Sequence, residues 1–98
     1  MMNRKNVRWC HDLGDLIDFI AYVVLSAPDD FPEEDQMDFE RAFAELRHGF
    51  DCAAKEVEGA RLTPLRVMLE DAYGLYKTAQ TNPGAWKLQE LQQSLMKL

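Results

Sequence analysis

Residues 39–57 read FERAFAELRHGFDCAAKEV, and their apolar positions Phe39, Phe43, Leu46, Phe50, Ala53 and Val57 recur at spacings of 4, 3, 4, 3 and 4. That repeat averages 3.5 residues, the period of a helix face laid along a neighbouring helix, not the two-residue alternation of a strand. Ala42 and Gly49 flank this seam on one side and Ala54 on the other, so a second helix can approach closely there. Glycine costs about 1 kcal/mol relative to alanine in a helix interior, so Gly49 marks either a close contact or a bend.

Upstream, Asp30-Phe31-Pro32-Glu33 resembles a capping box with proline in the first turn, which predicts a long second helix over 32–58 that closes at Gly59. Before it, Asp12 is a candidate N-cap for a helix over 12–26, whose wide apolar face (Leu13, Leu16, Ile17, Phe19, Ile20, Val23, Val24, Leu25) leaves a polar strip of Asp15, Asp18 and Tyr22. Pro28 stops that run. Downstream, Thr63-Pro64 reads as a cap followed by proline at the first helical position, opening a helix over 64–81 with a seam of Leu65, Leu69, Ala72, Tyr76 and Ala79. Asn82-Pro83 repeats the device before a last helix over 84–97 that carries Leu88, Leu91 and Leu95.

These patterns predict an all-α, single-domain antiparallel four-helix bundle, because short connections make consecutive helices antiparallel neighbours. The lengths are mismatched: the second helix would run about 39 Å against about 22 Å for the first. Either it bends near Gly49 or its overhang packs on another chain. Ninety-eight residues suffice for one core and no second. Apolar residues at 47% and charged residues at 29% are ordinary for a globular domain and exclude wholesale disorder.

Charge is unevenly placed along the chain. Residues 1–11 sum to +3, residues 12–58 to −11 and residues 59–98 to +2. A body this acidic repels duplex nucleic acid. Residues 1–10, with Arg4, Lys5 and Arg8, read as a flexible basic arm. The longest unbroken apolar stretch, 19–25, is far short of a bilayer span, and Asp12, Asp15 and Asp18 fall where a secretory signal needs apolar residues. A cytoplasmic protein with Cys10 and Cys52 as reduced thiols is therefore expected.

The densest cluster of charge is the run Asp29, Asp30, Glu33, Glu34, Asp35, Asp38 and Glu40. Acids at a helix N-terminus are favoured by the macrodipole, but only within its first turn, so a docking surface for a cationic partner is the functional reading of the remainder. A calcium loop does not fit, because the EF-hand glycine is missing and Pro32 interrupts the ligand spacing. His48 and Cys52 lie four apart on one helix, and Cys10 and His11 complete a zinc-compatible inventory, yet both His48 and Cys52 should point away from the core. No metal site, cofactor or catalytic residue is therefore assigned, since nucleophile motifs and glycine-rich phosphate loops are missing from the sequence as well. Trp86, offset from the leucine seam of the last helix, is the candidate exposed anchor.

The expected function is noncatalytic. An anionic face made by Asp29, Asp30, Phe31, Glu33, Glu34, Asp35, Met37 and Asp38, with Trp86 as a further anchor, binds a basic protein partner. One alternative is an inhibitor or immunity-type protein that neutralises a cationic toxin or nuclease. The other is a structural homodimer joined through the seams of the second and third helices.

Overall fold

Asp12 caps the first helix, α1 (Leu13–Ser26), by accepting the Asp15 backbone N–H at 2.8 Å. The computed structural model describes residues 8–98, so Arg4 and Lys5 of the basic arm lie outside the described residues. Leu16, Phe19, Ile20 and Val23 turn inward at helical spacing, and the helix stops at Ser26, where Ala27 goes extended before Pro28.

The second helix is shorter than the seam predicts. Residues 33–35 form a single 3-10 turn, Gln36 enters the left-handed region at φ 52°, and α2 covers only Phe39–Ala53. Its N-cap is Asp38, which accepts the Arg41 N–H at 2.8 Å, so the cap expected at Asp30 moves eight residues on. A physical reason is burial. A helix begun at Pro32 would carry Phe31 and Met37 beyond the end of α1, whereas the turn at Gln36 folds both back against the core. Phe43, Leu46, Phe50 and Ala53 of the seam are fully buried. Val57 keeps its place on the core through turns after the helix, not as part of it. The length mismatch that suggested an overhang docked on another chain therefore disappears.

The third helix, α3 (Gly59–Lys77), begins earlier than Thr63-Pro64 predicts. Thr63 donates its hydroxyl back to the Gly59 carbonyl at 3.1 Å, and Pro64 lies within the helix, so neither starts it. Leu62 explains the shift: it is fully buried and extends the buried seam to Leu62, Leu65, Leu69, Ala72 and Tyr76. Ala79, predicted as the last seam residue, instead lies past the helix end, exposed and at φ 63°. The last helix, α4 (Thr81–Met96), accepts Pro83 in its first turn, where no intrahelical donor is needed, and buries Leu88, Leu91 and Leu95.

The four helices form a closed bundle in which α1 lies against α2 and α4, and α3 against α4 and α2. Direction follows from the cross-links. The first N–H of α1, at Leu13, donates to Glu56 just beyond α2, and the pairs 40–77, 47–70 and 51–66 run in opposite senses along α2 and α3. The shortest dimension, 16 Å, is that of two helix layers about 10 Å apart. Among the described residues no helix is long and apolar enough to cross a membrane.

Two glycines set the closest approaches. A Cβ on Gly49 would stand 2.7 Å from Leu16 Cδ1 and 3.1 Å from Cys10 Sγ, so this glycine serves a close contact. A Cβ on Gly84 would meet the Tyr76 ring at 2.9 Å. Helix propensity alone predicts that Gly84→Ala stabilises the protein, but the buried ring cannot move aside freely. We expect a loss of about 1–2 kcal/mol in urea unfolding. Ala79→Gly should act in the opposite sense and gain about 1 kcal/mol, since glycine tolerates the left-handed conformation there. If Gly84→Ala proves more stable than the wild type, the ring contact is not limiting.

Candidate functional site

Glu45 is the one described acidic residue enclosed by the fold, with 6% of its surface exposed. It lies on the buried side of α2 beside the seam, and its Oε2 accepts the backbone N–H groups of both Trp9 and Cys10 at 3.0 Å. Its Oε1 accepts from Arg8 at 3.1 Å, an ion pair in which the guanidinium remains mostly exposed. A buried carboxylate is tolerated only when its lone pairs are filled and its charge is countered, and these three donors do both. Residues 8–10 are consequently held against α2, not free as part of a flexible arm.

The strap so fixed brings Trp9 over the polar strip of α1. Its ring stacks on Tyr22 with centroids 5.2 Å apart, and Tyr22 stacks in turn on Phe19 at 5.4 Å and meets Phe31 at 5.8 Å. The Tyr22 hydroxyl donates to Asp35 Oδ2 at 3.0 Å, which ties the α1–α2 connection to the same cluster. Trp9, Phe19 and Tyr22, together with Asp15 and Asp18, line an open cleft of about 220 Å³. Asp15 accepts from the backbone and ring of His11 at 3.0 and 3.2 Å, whereas Asp18 is exposed and makes no hydrogen bond or ion pair among the described residues.

The predicted anionic face divides into parts. Asp38 is engaged as the α2 cap, Asp35 holds Tyr22, and Phe31 and Met37 are half-buried against the core. Asp29, Asp30, Glu33 and Glu34 remain exposed, without an ion pair among the described residues. They precede α2 by several residues, so its macrodipole does not account for their accumulation. Trp86 is 66% exposed on α4 and makes no ring contact among the described residues.

On the α2–α3 side the acids are already matched. Glu40 accepts from Lys77 at 3.0 Å and from the Tyr73 hydroxyl at 2.9 Å, and these bonds hold its carboxyl below the usual range while raising Lys77 and Tyr73. Arg47 forks onto Glu70 and lies 5.0 Å over the Tyr73 ring. Arg66 pairs with Asp51 and lies 5.3 Å over Phe50. These exposed pairs set register more than they add stability.

The four zinc-compatible residues do not converge. His11 turns to Asp15, while Cys52 Sγ contacts His48 Nε2 at 3.4 Å and donates to the Cys10 carbonyl at 3.6 Å. Among the described residues no group of three or more His, Cys, Asp or Glu side chains gathers as a metal site. Cys52 is buried, contrary to its predicted outward direction, because the strap covers that side of α2. Burial pushes the Cys10 thiol up to about 12, with Glu45 adding to the shift. That keeps it protonated and a poor nucleophile. Sequence reasoning missed Glu45, Trp9 as a cleft wall, and the cleft itself. The only signal was an acid flanked on α2 by buried positions.

With this geometry in hand, comparison with known proteins returns no match: no family model, curated protein or solved structure corresponds to the chain.

Two outcomes test the strap. In a Trp86→Phe background, Glu45→Ala should cost about 2–3 kcal/mol and shift Trp9 emission to the red, with Glu45→Gln intermediate because it keeps an acceptor but loses the charge. Unchanged emission in Glu45→Ala would show that the strap holds without the carboxylate. Cys10 supplies the pH test. Its folded pKa is raised from 9.0 to about 12, so its contribution is complete below pH 9 and is lost as pH rises toward 12. Urea midpoints compared at pH 7 and about pH 10 should fall more steeply for the wild type than for Cys10→Ala.

Proposed function

We propose that this chain is a noncatalytic interaction domain that binds a basic protein partner through the acidic α1–α2 connection and the adjoining strip of α1. The observation that supports the reading is the sorting of its carboxylates. Glu40, Glu45, Asp51 and Glu70 are each paired with a cationic side chain of the same chain. Asp18, Asp29, Asp30, Glu33 and Glu34 are exposed and have no such partner among the described residues. Unmatched charge of one sign steers an oppositely charged surface and sets partner choice, while nearby aromatic groups supply lasting contact.

The structure guides the choice of variant. Asp35 and Asp38 hold Tyr22 and the α2 terminus, so reversing them would confound binding with folding. Asp29, Asp30, Glu33 and Glu34 changed together to Lys leave those bonds intact. In affinity capture at low salt, the wild type should retain a stoichiometric basic protein that is released as salt rises, and the reversed variant should not, with both giving the same circular dichroism. Identical capture by the two folded chains, or retention insensitive to salt, contradicts the reading.

A further inference from the structure

We propose that Cys10 and Cys52 are a redox-sensitive pair, which a hydroperoxide closes into a disulfide that clasps the strap onto α2. The inference stands apart from the acidic face and holds whatever that face binds. The chain has two cysteines, 42 residues apart, and the fold lays one beside the other. Glu45 takes the Cys10 backbone N–H, and two turns farther along α2 the Cys52 sulfur lies 3.6 Å from the Cys10 carbonyl oxygen. Gly49 stands between these two anchors, and the Cys10 sulfur occupies the space that a Cβ there would fill. A carbonyl oxygen is about 2.4 Å from its own Cα, so the Cys10 Cα lies within about 6 Å of the Cys52 sulfur. Bridged cysteines keep their Cα atoms about 4.4–6.8 Å apart, so closure asks for side-chain rotation and a small movement of the strap, not for a rearranged bundle.

The two thiols have different parts. Cys10 is fully enclosed, and burial together with Glu45 pushes it up to about 12, so it is not the first to react. Cys52 keeps 8% of its surface exposed and has the half-buried His48 Nε2 at 3.4 Å as a proton acceptor. Its sulfur attacks one oxygen of the hydroperoxide and the O–O bond breaks. The thiol proton, passed through His48, leaves on the departing oxygen, and Cys52 becomes a sulfenic acid. The Cys10 sulfur then attacks that of Cys52, and the hydroxyl departs as water with the Cys10 proton. With hydrogen peroxide, two thiols are oxidised to one disulfide and the peroxide is reduced to two waters. The bond closes a long loop and excludes states in which residues 8–10 lift from α2, so Trp9 stays in its place until a thiol reductant reopens it.

The test treats the reduced, folded full chain with stoichiometric hydrogen peroxide at neutral pH. Free thiols should fall from two to none per chain, and peptide mapping should find residues 10 and 52 joined with the loss of two hydrogens. The urea midpoint should rise by about 1 M or more and return on reduction, with no rise in Cys52→Ser. In the Trp86→Phe background, Trp9 emission should keep its position. His48→Ala should slow the loss of the Cys52 thiol severalfold, and an unchanged rate would overturn the role given to His48.

A bond formed only between chains, a Cys52 oxidised beyond the sulfenic acid while Cys10 stays free, or closure in urea but not in the folded protein would each overturn the pair. An intrachain bond that lowers the urea midpoint or shifts Trp9 emission to the red would show that closure pulls the strap away, and would overturn the clasp.

Discussion

The Glu45 carboxylate is enclosed between α2 and the strap at residues 8–10, and two backbone N–H groups and one guanidinium compensate its charge. One turn farther along α2, Gly49 lets Cys10 and Leu16 come within van der Waals contact of the helix. The two features work together: the glycine removes the volume that would hold the strap away, and the carboxylate supplies the directional bonds that hold it in place. Trp9 is positioned as a result, and with it the ring stack that forms one wall of the cleft on α1. Taking the carboxylate away while keeping the strap in place would leave two backbone donors without acceptors, which is why the arrangement is stable only as a unit.

The bundle uses different chemistry on its different interfaces. The contact of α1 with α2 is apolar and close, built on Leu16, Phe19, Ile20 and Val23 against the Phe43 to Ala53 seam. Between α2 and α3 the surface is laced by Glu40, Arg47, Asp51, Arg66, Glu70, Tyr73 and Lys77. That lacing neutralises Glu40, Asp51 and Glu70 locally. The net negative charge of the chain is therefore carried disproportionately by α1 and the connection that follows it, the side on which the aromatic cleft opens.

Much of the helical content was legible because apolar periodicity reports which side of a helix is buried. The seam from Phe43 to Ala53, Leu16, Phe19, Ile20 and Val23 of α1, and Leu88, Leu91 and Leu95 of α4 are buried as their spacing implies, whereas Leu25, read as part of the same α1 face, is 83% exposed. Boundaries were harder to read. Asp30-Phe31-Pro32-Glu33 and Thr63-Pro64 both carry the local chemistry of helix starts, yet neither begins an α-helix: Phe31 and Met37 pack against the core from the connection before α2, and Leu62 is buried inside α3. A capping motif contributes about 1 kcal/mol, and burying a large side chain contributes more. Where the two disagreed, burial decided.

The acidic run was visible in composition, but its division into structural and unpartnered carboxylates was not, since Asp35, Asp38 and Glu34 are equivalent until the chain brings Tyr22 and the Arg41 N–H to two of them. Glu45 and the Trp9 cleft were equally hidden, because residues 9, 15, 18, 22 and 45 meet only when the strap is laid across α1 and α2. Local spacing and overall charge, which depend on neighbours in the chain, determined that this protein is a helical bundle with an anionic surface. Asp12 and Asp38 cap helices only three residues on, but which of the other carboxylates bind the protein to itself was decided in the tertiary structure, because Glu40, Glu45, Asp51 and Glu70 meet cations 15 to 37 residues away in the chain.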